Sequence, residues 1–313
     1  METNRPARWK ILSAFAIIYL VWGSTFLAIR IGVHEVPPFL LAAMRFTLAG
    51  VALLGWTLSR GERPPTARQW LSISILSLLM FVLDYGLLFW AEQFVPSGLS
   101  AVMLATIPAF TALFEIALLR TQKLTIRLAL ALVVGIAGVA VLVSRALNLG
   151  GTPVPASGAI ALTVAAITWS LASILTRKLE LPSSRALNSG AQMFVGGILL
   201  LIVSAALGEF TRFHPAAVSL NAWLALLYLI VAGSILAFTA WLWLMHHESP
   251  TKVGTYAYVN PVVAVIIGYF LGNEEFGLRT IIGTLCALLS VVVITTARAK
   301  RPAPAQAAAA KAL

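Results

Sequence analysis

The chain has 313 residues, 60% of them hydrophobic and only 11% charged, with a mean hydropathy of +0.93. A water-soluble domain needs far more charged surface, so a soluble globular protein is excluded. The formal net charge of +11 does not point to nucleic acid, because no basic groove with interleaved aromatics exists outside the apolar segments.

A membrane-spanning helix needs about 20 mostly apolar residues, and the sequence predicts ten: 11–30, 37–58, 70–91, 97–119, 128–144, 157–176, 187–207, 222–245, 253–272 and 280–297. The expected fold class is therefore all-α, a polytopic protein with ten transmembrane helices in two inverted five-helix repeats. The first apolar run lacks a small-residue cleavage site and is long enough to span, so it reads as helix one and not as a signal peptide. With the N-terminus inside, seventeen of the 22 Lys and Arg fall in cytoplasmic segments. Arg30, Arg145, Arg212 and Arg279 fall on the other side, and Arg45 lies within a span. The positive-inside rule then predicts both termini in the cytoplasm of a multi-pass cell (inner) membrane protein.

The hydrophobic pattern is written twice. Trp22, Arg30 and Arg45 recur as Trp169, Arg177 and Gln192 at an offset of 147, and Gln122, Ala131 and Gly138 face Glu274, Gly283 and Ser290 at an offset of 152. Five spans per copy is odd, so the second copy enters the membrane from the opposite side, as in many secondary transporters. The expected organisation is a first repeat over 1–146, a Gly- and Pro-containing linker over 147–157, a second repeat over 158–300 and a disordered tail over 301–313. Ala131 and Gly135 match Gly283 and Ala287 as small-xxx-small pairs. They suit either generic packing or a direct contact of helix five with helix ten.

Within the spans, Trp22 in helix one is a candidate pocket wall or a core residue, and Ser24 and Thr25 beside it either meet a ligand or bond back to their own helix. In helix two, Arg45 lies about 12 Å into the span at 1.5 Å per residue. It calls for a carboxylate partner or an anionic substrate group. Asp84, deep in helix three, is that partner or a titrating proton carrier. Glu92 reads as a rim or helix-end residue. In helix four, Pro108 is expected to kink the span and free the carbonyl near Leu104, and Glu115 to snorkel. Trp169 in helix six matches Trp22. In helix nine, Pro261 repeats the kink, with Tyr256 and Asn260 four residues apart on one face. Asn260 serves either a substrate hydrogen bond or an interhelical one that satisfies the kink. Paired kinks in corresponding helices of two halves point to a binding site at their interface. His246 and His247 are adjacent and point apart, so no metal site is expected, and Cys286 is single, which removes an intramolecular disulfide. No catalytic motif appears in a usable context.

The runs WGSTFLAIRIG at 22–32, PPFLLAAMRF at 37–46, VPSGLSAV at 95–102 and YAYVNPVVAVIIG at 256–268, followed by Glu274, resemble the drug/metabolite transporter superfamily, EamA type. The resemblance covers about residues 11–297. It implies an inner-membrane permease, often an exporter of amino acids, related metabolites or toxic compounds, with a central cavity built by both halves. The glutamate often found after helix four in this family is Gln122 here. The expected machinery is a wall of Trp22, Trp169 and Tyr256, polar contacts from Thr25, Thr106 and Asn260, and charge recognition by Arg45 and Asp84, with Pro108 and Pro261 as kinks. No enzyme activity, cofactor, metal or nucleic-acid partner is expected. The expected partners are a small-molecule substrate, the lipid bilayer and, if transport is coupled, protons, with the chain acting as a monomer or homodimer. A lipid-carrier flippase of the same superfamily is the alternative.

Overall fold

The computed structural model describes residues 7–119, 125–143, 154–176, 178–248, 253, 256–275 and 277–298. The described residues form helices and connections, with no strand among them. In chain order the main helices are α1 (Arg8–Val33), α2 (Pro38–Ser59), α3 (Ala67–Ala91), α4 (Ser97–Leu104, Ile107–Phe114 and Glu115–Leu119), α5 (Ile126–Val143), α6 (Ala156–Leu175), α7 (Arg185–Ala206), α8 (Leu220–Tyr228, Leu229–Leu236 and Ala237–His247), α9 (Tyr256–Gly272) and α10 (Leu278–Arg298). Seven of them, α1 to α4 and α6 to α8, are long and apolar enough to cross a membrane, and α5, α9 and α10 carry shorter apolar stretches. The protein is a polytopic all-α membrane protein. Most of the predicted linker, the tail, Gln122 and Arg177 lie outside the described residues.

Local chemistry sets the helix starts. Pro38 opens α2, where its missing N–H costs nothing. Thr66 and Gln69 form a capping box at α3, and the Ser184 and Ser219 hydroxyls accept from the third residue of α7 and α8. Two helices depart from α geometry in their middles: Leu78–Gly86 of α3 and Leu229–Leu236 of α8 are π-helical. The prolines behave differently from each other. Pro108 sits in the first turn after a break in α4 at Ala105 and Thr106, whereas Pro261 lies inside an uninterrupted α9.

Glycines decide how the helices pack. A Cβ at Gly50 of α2 would lie 2.4 Å from the backbone N of Phe194 in α7, and one at Gly197 would lie 2.5 Å from that of Thr47. The contact is reciprocal, because Gly197 and Phe194 stand to Gly50 and Thr47 at the same offset of 147 that relates Trp169 to Trp22. The α5–α10 crossing repeats this at an offset of 152: Gly135 faces Ser290, with the ideal Cβ 2.7 Å from its Oγ, and Gly138 faces Ala287 N at 3.3 Å. Helices five and ten therefore do pack on each other, with Gly135 against Ser290 and Gly138 against Gly283 and Ala287. The remaining neighbours are also paired across the halves: α1 lies on α8 and α9, and α6 on α3 and the second part of α4.

One end of the bundle, the rim, is tied by carboxylates that reach across connections to helix N-termini. Glu209 accepts from Leu40 N at 2.8 Å in α2, Glu35 accepts from Ser219 Oγ at 2.6 Å at the start of α8, and Glu274 accepts from Ser97 N at 2.6 Å and Gly98 N at 3.1 Å in α4. Each anion meets the positive end of a helix dipole. The Ser219 bonds hold the Glu35 carboxyl below the usual carboxylate range.

Candidate substrate site

Six helices bring the singled-out residues to the interior. On α1, Trp22 donates from Nε1 to the Gly233 carbonyl at 3.1 Å and meets Tyr256 of α9 edge-on, with centroids 5.1 Å apart. Gly233 lies in the π segment of α8, where the altered turn leaves its carbonyl available to a side chain. Trp241, about two turns further on, is 6.3 Å from Trp22 and completes this wall. Thr25 Oγ1 bonds back to the Trp22 carbonyl at 2.7 Å, and its methyl faces Gly233. Its hydroxyl proton is thus used within α1, leaving it acceptor capacity only.

Arg45 of α2 is 2% exposed. Its Nε donates to Ser234 Oγ of α8 at 2.9 Å, and its guanidinium lies over Phe46 at 4.7 Å, Tyr85 at 5.3 Å and Phe89 at 6.0 Å. Arg45 passes where a side chain at residue 233 would stand, since a Cβ there would be 3.3 Å from Nη2. The aromatic faces and one hydroxyl account for part of the charge, yet Nη1 is buried with no partner. Asp84 in the π segment of α3 is equally enclosed, at 3% exposed, with Oδ1 unpartnered. It lies near enough to Tyr85 and Tyr256 to act on both electrostatically. No ion pair joins Arg45 to Asp84 among the described residues, whereas Arg30 and Glu274 do pair, at 3.6 Å. Of the two sequence readings for Arg45, the carboxylate partner is not what this arrangement shows.

Trp169 of α6 meets Tyr85 edge-on at 5.9 Å, which joins the α6 side to the α3 side. The next residue, Ser170, shares its one hydroxyl proton between the Ala166 carbonyl of its own helix at 2.7 Å and the Ile107 carbonyl just after the α4 break at 2.9 Å, a contact between α6 and α4. Thr106 sits in that break and bonds back to the Met103 carbonyl at 2.7 Å. On α9, Asn260 is buried beside Gly23 of α1, its Oδ1 unpartnered and its carbonyl 3.3 Å from where a Gly23 Cβ would be. Tyr256 precedes it by one turn. The side chains of Tyr258 and His246 lie outside the described residues. Glu115 stays at the far end of α4, away from these groups.

Ser234, Tyr85 and Gly233, like Trp241, are participants that the sequence does not single out. Their signal is weak, because a serine, a tyrosine and a glycine in apolar helices are ordinary, and only the π turns bring them inward. Tyr85 adjoins Asp84, and that adjacency was the available clue. The site is closed by aromatic packing, and a shallow cleft lies at the rim beside Pro96, Gly98, Val265, Glu274 and Thr280.

A family model described as the EamA-like transporter family matches residues 9–144 and again residues 156–296. The "Uncharacterized inner membrane transporter YedA" of Escherichia coli (strain K12) is 36% identical over 296 residues, which cover 94% of this chain and 93% of that protein. An "Uncharacterized transporter" of Archaeoglobus fulgidus is 28% identical over 284 residues, covering 90% and 95%. "Protein PecM" of Dickeya dadantii is 26% identical over 277 residues, covering 88% of each. A solved crystal structure superposes with a TM-score of 0.61 over 95% of this chain and 100% of that one at 21% identity, a likeness of fold alone.

Proposed function

We propose, since the chain belongs to the EamA-like transporter family and is a transporter and not an enzyme, that it is an inner-membrane secondary carrier exporting amino acids or related small metabolites and toxic compounds. The observation that carries this reading is a buried guanidinium and a buried carboxyl group, Arg45 and Asp84, each with an unpartnered polar atom, in an enclosure lined by aromatic rings. An isolated charge in a low-dielectric interior is expensive, and a transported solute bearing the complementary groups would satisfy both. Trp22, Trp169 and Tyr256 supply the apolar contact, and Asn260 an amide for orientation.

Alternating access is supported by the reciprocal Gly50–Phe194 and Gly197–Thr47 contacts and by the two separate family matches. Two five-helix halves of opposite membrane sense, rocking about the α2–α7 and α5–α10 crossings, expose the shared site to either side in turn. The distribution of Lys and Arg supports cytoplasmic termini. In the coupled version of this cycle, Asp84 carries the proton.

The test is flux of labelled amino acids in proteoliposomes of the purified protein, with and without a pH gradient. Saturable flux abolished by Asn260→Ala is the expected result. No flux across the panel from folded protein overturns the amino-acid reading, and translocation of a labelled lipid under the same conditions would install the flippase in its place.

A further inference from the structure

At the rim, Glu92 presents a problem the substrate site does not explain. It follows α3 directly, is 0% exposed, and has both carboxylate oxygens buried without a hydrogen-bond partner. A helix C-terminus is the negative end of its dipole, so nothing in its own backbone welcomes an anion there. The nearest guanidinium is already engaged. Arg30 of α1 donates through Nη1 to the carbonyls of Val95 at 2.5 Å and Glu92 at 3.3 Å, and its Nε faces Glu274 at 3.6 Å. Glu274 in turn holds the first amides of α4. One guanidinium thus bridges α1, the α3–α4 connection and the α9–α10 connection, and Glu274 is the carboxylate paired with it. The hydroxyls of Ser97 and Ser100 in the same first turns of α4 are also buried and unpartnered. Closed, this rim holds more polar groups than it can satisfy internally.

We propose that Glu92 is a proton-binding site that controls the rim, the closed arrangement being the one in which this carboxyl is neutral. Loss of the proton to water places a second carboxylate beside Glu274 with one guanidinium between them. Arg30 is then drawn toward two anions, the Glu274 clasp on Ser97 and Gly98 loosens, and water enters to solvate Glu92, Ser97 and Ser100. The groups acting on Glu92 are known from each element facing it. Glu274 repels its charge, Arg30 and Arg45 attract it, and α6, which also packs on the end of α3, contributes no titratable side chain. Burial outweighs the two cations and, with Glu274, pushes the Glu92 carboxyl well above the usual carboxylate range. The sign follows: the closed rim is favoured below that raised value and is lost as pH rises through it. This goes beyond the reading of Arg45 and Asp84 and borrows from it only the premise that the rim opens at some stage of the cycle.

The experiment follows amide hydrogen exchange of the 93–100 segment in the full-length protein in lipid, from about pH 6 to about pH 9, as protection factors corrected for the intrinsic pH dependence of exchange. No solute is needed, so failure here and failure of the transport reading are separable. The expected result is protection falling by about tenfold or more as pH rises in the wild type, and staying high throughout in Glu92→Gln. Wild-type protection that does not change with pH overturns the proposal, as does the same fall in Glu92→Gln. Loss of protection in Glu92→Gln already at about pH 6 overturns it too, because a neutral isostere would then have failed to close the rim.

Discussion

The α2–α7 crossing offers a test with its control on the same helix. In Gly50→Ala the new methyl carbon would lie 2.4 Å from Phe194 N and 2.7 Å from its Cα, whereas at Gly55 nothing comes within 4 Å. Both substitutions gain the same helix term, roughly 0.5–1 kcal/mol from reduced backbone freedom. At Gly55 that gain is all there is, so the variant is stabilised by about that amount. At Gly50 the obstacle is backbone and cannot rotate away. A relaxed contact needs about 3.5–4.0 Å, so the helices must part by about 1 Å, and overpacking of this kind costs about 1–3 kcal/mol. The separation also strips contact from Gly190, now 2.7 Å from Leu54 N at its ideal Cβ, and from Gly197. Because the helix term is common to both, the two variants should differ by the overpacking cost, about 1–3 kcal/mol, with Gly50→Ala the less stable, a gap of several degrees in melting temperature in detergent micelles. Gly50→Ala melting as high as Gly55→Ala would mean the two backbones do not meet, and the reciprocal crossing would have to be abandoned.

Three further outcomes are expected. Ser234→Ala leaves Arg45 Nε without its acceptor beside an Nη1 that already lacks one; at about 1–3 kcal/mol for an orphaned buried donor, both melting temperature and flux should fall, and Ser234→Thr should restore them. Asp84→Asn should weaken solute exchange, since the carboxyl belongs to the proposed solute site, and should abolish its response to a pH gradient in proteoliposomes; an unchanged response removes Asp84 as the proton carrier. Glu35 has its carboxyl pulled down by the two Ser219 bonds, so its contribution to the α8 start is present at neutral pH and lost as pH falls through that lowered value. Amide exchange in the first turn of α8 should accelerate on the acid side in the wild type, beyond the intrinsic trend, and Glu35→Gln should show no such step.

The ten apolar runs were legible because lipid demands them: a backbone with no water to bond must satisfy itself helically over the full thickness of the hydrocarbon, and each helix found lies within a few residues of the run that predicted it. The contacts of helices five and ten were legible for a related reason, since small residues at four-residue spacing leave a flat strip where a neighbouring backbone fits. The α2–α7 crossing carries a comparable mark in Gly50 and Gly197 at matched places in the two halves, and it went unread because single glycines are common in membrane helices.

What the sequence hid is side-chain pairing over long separations. Arg45 and Asp84 looked like natural partners, one helix apart and both deep. The geometry instead gives Arg45 to Ser234 of α8, 189 positions away, and leaves Asp84 with Tyr85 and Tyr256 for neighbours. The π turns of α3 and α8 carry these groups, and a π turn is selected by tertiary packing and not by any residue preference that a linear reading detects. Glu92 shows the same limit at the rim. Its place at the end of a span was correctly expected, but its burial depends on Arg30 and Glu274, which approach from 62 and 182 positions away and leave no local trace. Helix positions follow from what each segment must do in lipid by itself, while the charges acquire their meaning only from one another. That is why the proposed solute and proton sites rest on unpartnered atoms at Arg45, Asp84 and Glu92, and not on the apolar pattern.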